Sequence, residues 1–175
     1  VVLSIMPWNF PFWQALRFGV PTLLAGNTSL LKHARNVTGC ALALEEALTE
    51  AGFPEGVFRT LLVGHEGVGR LLDDRRVAGV SVTGSTEVGQ AVAARAGKTL
   101  KTCVLELGGS DPFIVLADAD LERAVAGAVT GRLLNTGQSC IAAKRFLIEE
   151  PVYDEFVQRF AAAMAARRVG DPLDP

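Results

Sequence analysis

The chain is poor in the residues that build disulfide-bonded or zinc-binding folds. It has three cysteines among 175 residues, Cys40, Cys103 and Cys140, and no two of them have the CxxC spacing of zinc and redox motifs. A small, odd number of cysteines argues against a disulfide framework and favours a reducing compartment. We therefore predict a cytoplasmic protein without a metal site.

Long apolar runs and blocks of one charge are also absent. No apolar stretch approaches the roughly 18 residues that a membrane-spanning helix needs. The 17 basic and 19 acidic residues give a net charge of −2, and no Lys/Arg block exceeds two residues. Such a surface offers no basic patch to nucleic acid or to an anionic membrane, so we expect neither partner. A composition of 49% hydrophobic and 21% charged residues is ordinary for a globular protein.

Short apolar or β-branched runs alternate with longer runs of helical periodicity. This alternation is typical of an α/β fold, in which crossover helices connect the strands of a parallel sheet. The predicted strands lie at residues 1–5, 28–32, 57–63, 77–83, 102–107, 112–116 and 144–149. Predicted helices follow residue 11, cover 41–51, begin near Thr86, follow an Asp118 or Asp120 cap, and cover 152–163. A change of rhythm after the glycine-rich stretch 84–109 places a domain boundary near residue 106.

The stretch VSVTGSTEVG, residues 80–89, predicts a strand, a glycine-containing turn and a helix start. Free N–H groups and the positive dipole end of a helix suit a phosphate, and Gly84 lets the backbone approach it. A nucleotide triphosphate loop is disfavoured because Gln90 and Ala91 stand where Lys and Ser/Thr are required. The GxGxxG pattern is absent, and GHEGVG at 64–69 has its glycines in another order. A capped connection without a ligand remains the alternative.

One cysteine and one glutamate stand out as possible catalytic residues. Cys140 ends a GQSC stretch, and Glu106 lies in an ELGG turn. A thiol that attacks and a carboxylate that activates water suffice for covalent catalysis through a thioester. A buried, inert thiol is the usual state of a free cysteine. Cys40 in an apolar helix face and Cys103 in a strand fit that description.

Five motifs then follow one another in a familiar order: PWNFP at 7–11, LLKHA at 30–34, VTGSTEVG at 82–89, LELGG at 105–109 and GQSC at 137–140. With this order and spacing, the chain resembles the aldehyde dehydrogenase superfamily over essentially all of its length. Members are much longer, so we expect an internal piece of an enzyme that forms homo-oligomers. The resemblance implies that residues 1–105 form the second part of a Rossmann-like NAD(P)-binding domain. Residues 106–175 would begin the α/β catalytic domain.

The resemblance also implies the chemistry, which is oxidation of an aldehyde to the carboxylic acid with NAD or NADP. Cys140 would attack the aldehyde carbon to give a thiohemiacetal, and hydride transfer to the nicotinamide would leave a thioester. Glu106 would activate the water that hydrolyses it. The Asn9 amide and the Cys140 backbone N–H would bind the oxyanion. Glu87, in the first turn of a helix, is expected to interact favourably with the helix dipole and to take no part in the chemistry.

Cofactor contacts are implied for eight residues: Ile5, Trp8, Lys32, Arg35, Gly84, Ser85, Val88 and Leu107. Lys32 would bind the adenosine ribose, although a solvated lysine at a strand end is the alternative. Family members that demand NAD often carry an acid three positions after this lysine, where the present chain has Arg35. A guanidinium there could bind the 2′-phosphate of NADP. The resemblance therefore allows either NAD or NADP.

The substrate class is suggested by the helix after PWNFP. Asn9, Trp13 and Arg17 are spaced at i, i+4 and i+8, which predicts one helical face. PWNFPFWQALR and GQSCIAAKRF resemble the succinate semialdehyde dehydrogenase branch, whose members place an arginine here for the distal carboxylate. We therefore expect succinate semialdehyde or another short carboxylated aldehyde. A surface arginine that lies along an apolar helix is the alternative for Arg17.

Two other functions compete with this interpretation. A cysteine hydrolase would need a histidine partner for Cys140, and the two histidines, His33 and His65, lie in stretches that the cofactor domain explains better. An inactive folded fragment or interaction module is the second alternative, and we expect the 175 residues alone to be inactive. The polar, turn-rich GDPLDP at 170–175 is predicted to be a loop in the middle of a longer protein.

Overall fold

The computed structural model describes residues 1–171 and 173. It contains two compact units, Val1–Gly108 and Gly109–Pro175. The break between them follows Gly108, whereas the sequence suggests a boundary near residue 106. Half of the predicted C-terminal loop, Pro172, Asp174 and Pro175, lies outside the described residues. Within the described part of the chain, no helix has both the length and the apolarity needed to cross a bilayer.

The first unit is a parallel sheet flanked by helices. Its strands are β1 (Val2–Met6), β2 (Ser29–His33), β3 (Phe58–Thr60), β4 (Gly79–Thr83) and β5 (Thr102–Glu106). Its helices are α1 (Pro11–Leu24), α2 (Thr38–Glu50), α3 (His65–Asp73) and α4 (Thr86–Gly97). The strand order is β3-β2-β1-β4-β5, with every pair parallel. This result confirms the predicted α/β class, and the order is that of dinucleotide-binding folds.

Helices on both faces explain why the central strands bury apolar residues on both sides of the sheet. On one face, α3 and α4 supply Val68, Leu72, Val92 and Ala96, which pack with Leu3, Ile5, Val80 and Val82 of the sheet. On the other, α1 and α2 supply Ala15, Ala41 and Leu44, which pack with Met6, Leu31 and Phe58. Burial of each Leu, Val or Phe side chain contributes about 1.5–3 kcal/mol to the stability of the fold. The sheet is therefore the stable frame on which the loops at its edge are mounted.

The chain leaves the sheet earlier at β3 than the sequence predicts. The strand expected at 57–63 ends at Thr60, so the prediction is wrong for Leu61–Val63. The Leu61 N–H still donates to the Leu31 carbonyl at 2.8 Å, but Leu62 is exposed. GHEGVG enters α3, which the sequence analysis missed. A Cβ on Gly67 would lie 2.7 Å from the Cβ of Val63, so this glycine serves close packing.

Helix starts follow simple capping rules. Asp120 caps the helix α5 (Leu121–Leu133), because its side chain accepts a hydrogen bond from the Arg123 N–H at 3.1 Å. Helix α4 begins at Thr86 as predicted. Helix α1 begins at Pro11, whose missing N–H costs nothing in the first turn. Side-chain caps thus mark the starts of α4 and α5, whereas α1, α2 and α3 begin without one.

The second unit is small and covered on one side. Strands β6 (Pro112–Val115) and β7 (Arg145–Ile148) are parallel and pack against α5 and the helix α6 (Glu150–Ala165). The predicted face of α6, Val152, Phe156, Phe160 and Ala163, lies in this core. Ring centroids of Phe146 and Phe160 are 4.9 Å apart, close enough for aromatic attraction. On the strands, Ile114 and Leu147 remain exposed.

Candidate active site

Most of the predicted site residues in the first unit lie at the carboxyl edge of the sheet. Strand β1 connects to β2 on one side, and β4 connects to β5 on the other. In open α/β sheets, ligands bind beyond the carboxyl ends of strands where the order reverses in this way. The loop after β1 and the turn after β4 meet that criterion. The topology therefore brings Ile5, Trp8, Asn9, Lys32, Gly84, Ser85, Glu106 and Leu107 to one edge.

The loop between β1 and α1 carries Trp8 and Asn9. Trp8 is exposed and Asn9 is half-buried, whereas Ile5 is in the core. His33 at the end of β2 holds the loop, because its Nε2 donates to the Pro11 carbonyl at 2.9 Å. The Nδ1 of that ring accepts the Ala34 N–H at 3.0 Å. Sequence analysis gave His33 no role, yet this buried ring fixes the segment that presents Asn9.

Asn9 does not lie on α1. The prediction that Asn9, Trp13 and Arg17 share one helical face is therefore wrong for Asn9. Pro11 starts the helix and disfavours helical geometry in the residue before it, and Phe10 has φ −140°. Trp13 and Arg17 do lie one turn apart on α1, and both are exposed. Trp13 is 64% exposed, far more than a core residue would be.

The turn after β4 has the form expected of a phosphate cradle. Ser85 is the N-cap of α4 and accepts the Val88 N–H at 3.3 Å. The Gly84 N–H donates to the Glu106 carbonyl at 3.0 Å, which ties the turn to β5. A Cβ on Gly84 would meet nothing closer than 3.9 Å, so the glycine leaves open space over the turn. A hydrogen bond with Ser85 lowers the pKa of Glu87, so this carboxylate is charged at the helix start.

Leu107 packs over the same turn. A Cβ on Gly89 would lie 2.5 Å from a methyl carbon of Leu107, which means that Gly89 makes room for this side chain. Val88, in the first turn of α4, is exposed. Val88 and Leu107, two of the four apolar residues predicted to contact the cofactor, therefore lie beside the N–H groups at the start of α4. This arrangement suits an amphipathic ligand.

Two cations lie at the end of β2. Lys32 is the half-buried penultimate residue of β2, and Arg35 follows in a short 3-10 turn, Arg35–Val37. Burial, and then repulsion from Arg35, lower the pKa of Lys32. Neither side chain takes part in the ion pairs found among the described residues. A cavity of about 450 Å³ opens beside Arg35, lined by His33, Thr38, Thr60 and Gly64 among others. An anionic group would relieve the repulsion between the two cations.

Glu106 ends β5, next to the turn after β4. It forms an ion pair with Arg17, whose Nη2 lies 3.1 Å from the Oε1 of Glu106. Both side chains are about half exposed, and both line a cavity of about 350 Å³ between α1 and the sheet. Gln14 and Phe18 of α1 form part of the same lining. The candidate base and the candidate carboxylate-binding residue therefore contact each other, which their separation in the sequence did not predict.

Cys140 belongs to the second unit, Gly109–Pro175, and is described with that unit. The thiol is free and exposed, whereas those of Cys40 and Cys103 are half-buried. The chain reaches it through Asn135, Thr136 and Gly137, which all have positive φ. Arg132 and Lys144 hold this segment by donating hydrogen bonds to its carbonyl groups. Sequence analysis missed both; a cation on each side of a glycine-containing loop is the only signal they gave.

Comparison with known proteins agrees with this arrangement. The whole chain, residues 1–175, matches the aldehyde dehydrogenase family. It is 59% identical over all of its 175 residues to a protein of Mycobacterium tuberculosis named succinate-semialdehyde dehydrogenase (NADP+) 1. The same identity is found with the succinate-semialdehyde dehydrogenase (NADP+) of Mycobacterium leprae. In each case the chain spans 38% of the length of the relative.

Solved structures agree as well. Succinic semialdehyde dehydrogenase from Streptococcus pyogenes, in complex with NADP+, superimposes with a TM-score of 0.96 at 39% identity. The alignment covers 99% of this chain and 38% of that one. For the succinate-semialdehyde dehydrogenase from Burkholderia pseudomallei the TM-score is 0.93 at 39% identity, over 97% of this chain and 35% of that one. Sequence, fold and motif positions thus agree, and this chain belongs to the aldehyde dehydrogenase family.

Proposed function

We propose that the protein containing this chain oxidises a short carboxylated aldehyde, succinate semialdehyde in particular, to the carboxylic acid with NADP. The observation that carries the proposal is the exposed Cys140 thiol in a chain of the aldehyde dehydrogenase family. The names of the Mycobacterium relatives, succinate-semialdehyde dehydrogenase (NADP+), support the substrate and the cofactor. We place the enzyme in the cytoplasm, as its free cysteines favour, and expect a homo-oligomer.

The residues of the first unit fit NADP. The N–H groups at the start of α4, with Gly84 and Ser85, would bind the pyrophosphate. Lys32 and Arg35 would bind the ribose and its 2′-phosphate, whose negative charge offsets their repulsion. Ile5, Trp8, Val88 and Leu107 would supply the apolar contacts. When bound, the cofactor would supply a hydride acceptor.

Cys140 and Glu106 would carry the covalent chemistry. The Cys140 thiolate adds to the aldehyde carbon, and the Asn9 amide and the Cys140 backbone N–H bind the oxygen that becomes negative. After loss of hydride, the carbon is held as a thioester. Glu106 then takes a proton from water as the water attacks that carbon, and the thiolate leaves as the carboxylic acid forms.

Arg17 would recognise the distal carboxylate of the substrate. Its present partner is Glu106, and a half-exposed ion pair of this kind contributes about 1 kcal/mol or less. A substrate carboxylate can therefore replace Glu106 at Arg17 at little cost. The exchange would release Glu106 to act as a base when the correct substrate is bound, which links recognition to hydrolysis.

The first experiment measures aldehyde-dependent reduction of NADP+ by the purified full-length protein. We expect succinate semialdehyde to be oxidised and iodoacetamide to abolish the activity as the Cys140 peptide is alkylated. Replacing Arg17 by Ala should raise KM for succinate semialdehyde about tenfold or more, because a charged hydrogen bond is lost, and should raise KM for butanal little. Arg70→Ala, which also removes an exposed ion pair, is the control. Equal effects on both aldehydes would contradict the role of Arg17, and no NADP+ reduction with any aldehyde would contradict the function.

A further inference from the structure

The loop that carries Cys140 has an unusual backbone. Asn135, Thr136 and Gly137 are consecutive residues with φ of 52°, 59° and 78°. Asparagine and glycine adopt this left-handed region with some frequency, but a β-branched threonine rarely does. Three such residues in a row do not hold their conformation by local preference. Contacts from outside the loop must therefore determine it.

Arg132 supplies those contacts on both sides of the cysteine. Its Nη2 donates to the Gly137 carbonyl at 2.6 Å, and its Nη1 donates to the Ala143 carbonyl at 2.7 Å. These carbonyl groups lie three residues before and three residues after Cys140. A guanidinium is planar and rigid, so two bonds from its two terminal nitrogens fix the separation of the carbonyls as well as their direction.

Space around the guanidinium is limited at Gly137. A Cβ there would lie 3.2 Å from the Arg132 carbonyl oxygen and 3.3 Å from its Nη2. The glycine is therefore required for its positive φ and for the approach of the arginine. A second cation acts closer to the thiol, because the Lys144 Nζ donates to the Cys140 carbonyl at 2.7 Å. Lys144 is exposed, whereas Arg132 is half-buried at the end of α5.

We propose that Arg132 is a positioning residue for Cys140: it holds the left-handed loop closed across the cysteine so that the thiol and the Cys140 N–H keep a fixed direction. The inference rests on the proposed role of Cys140 as nucleophile. Arg132 acts through the backbone and contacts neither substrate nor thiol in this role. Lys144 assists by orienting the peptide that follows the cysteine.

The test compares Arg132→Met, Arg132→Lys and the control Arg159→Met in the full-length protein. Arg159 lies on α6 in the same unit and pairs with the exposed Glu155, so its loss removes a similar cation away from the loop. Two quantities are measured: kcat per active site, with sites counted from the NADPH burst, and the rate at which iodoacetamide alkylates Cys140.

We expect Arg132→Met to lower kcat per site about 10- to 100-fold, because a misplaced nucleophile costs that much, with KM changed far less. Lysine reaches one carbonyl at a time and should restore part of the loss, while Arg159→Met should behave as wild type. The pH dependence of the Cys140 alkylation rate should change together with kcat per site. A merely structural role would lower the number of active sites and leave kcat per site unchanged, and that result would overturn the proposal.

Two further results need a separate interpretation: an Arg132→Met variant that does not fold, and a wild-type protein that is inactive. If Arg132→Met does not fold, Arg132→Lys decides, and wild-type kcat per site and alkylation rate in that variant would overturn the proposal. If wild-type protein reduces no NADP+ with any aldehyde, the proposed function fails. The alkylation profile then still shows whether Arg132 controls the exposure and direction of the Cys140 thiol.

Discussion

The turn before α4 and the loop before Cys140 hold their shapes in different ways. The turn uses ordinary backbone, with Ser85 at φ −75° and ψ 160°, and its capping bond spans three residues. The loop has three left-handed residues, and Arg132 holds it with bonds that span five and eleven residues. If the turn binds phosphate groups as proposed, local capping suffices to shape it. If the loop presents the Cys140 thiol as proposed, a distant side chain determines its backbone.

Cys140→Ser should produce the largest effect, and it tests the loop that carries Cys140. A serine hydroxyl is a weak nucleophile without an adjacent base, so we expect kcat to fall about a thousandfold or more while the melting temperature stays near that of wild type. Cys103→Ser, at a half-buried thiol, is the control and should remain active. Steady-state oxidation of succinate semialdehyde measures both, and substantial activity in Cys140→Ser would exclude it as the nucleophile.

Ser85→Ala tests the turn before α4. It should lower the free energy of unfolding and leave kcat nearly unchanged, the opposite of the result expected for Cys140→Ser. It removes the side-chain acceptor of the Val88 N–H, which costs about 1 kcal/mol in the free energy of unfolding. We expect a weaker affinity for NADP+ and a kcat that stays close to wild type at saturating cofactor. Denaturant melts and a cofactor titration measure the two effects. Ser85→Asp is the useful companion, because it keeps a cap but repels a phosphate.

Alkaline pH should weaken the cofactor site by about fivefold. Because burial and Arg35 lower the pKa of Lys32, this side chain loses its charge as pH rises through a value below that of an ordinary lysine. The affinity for NADP+ should then fall. The free energy of unfolding of the cofactor-free protein should rise, because a partly buried charge is lost together with its repulsion from Arg35. Titrations of NADP+ at increasing pH test the prediction. In Arg35→Met the midpoint should move upwards, and an unchanged midpoint would show that Arg35 does not act on Lys32.

Thr136→Gly should give the smallest effect, and it tests directly whether the loop before Cys140 is strained. Glycine relieves the cost of the left-handed conformation, about 1–2 kcal/mol, but its flexibility in the unfolded chain takes back about 1 kcal/mol. We expect the free energy of unfolding to rise by less than about 1 kcal/mol or to stay unchanged. Urea unfolding measures it, with Thr130→Gly on α5 as a control that should be destabilised. A clear loss of stability in Thr136→Gly would show that the loop is not strained.

Local features of this fold were predictable, and long-range ones were not. Asp120 and Ser85 are capping residues next to helical patterns, so their helix starts follow from a few neighbouring positions. The extra length given to β3 shows the limit of this approach. Leu61–Val63 are as apolar as a strand, yet the chain leaves the sheet there, and hydrophobicity alone does not show where a partner strand ends.

The site shows the same division. Cys140, Glu106 and Lys32 are predicted as site residues because their motifs have a recognisable order. The Arg17–Glu106 ion pair joins residues 89 positions apart, and the Arg132 contacts depend on left-handed geometry that residue type does not encode. His33 was missed for a similar reason, since its partner is the backbone carbonyl of Pro11 at the start of α1, 22 residues away in the sequence. Side chains that bond distant backbone groups therefore have no local sequence pattern, unlike the helix caps Ser85 and Asp120.

The two edges of the five-stranded sheet also differ, with a consequence for how the chain behaves at high concentration. Edge strand β3 is three residues long and carries Arg59, which is paired with Glu45. Edge strand β5 is five residues long and exposes Val104 and Leu105. Short length and charge discourage the addition of a foreign strand. Aggregates of this chain should therefore grow from the β5 edge, and a lysine at Val104 would be the first substitution to improve its solubility.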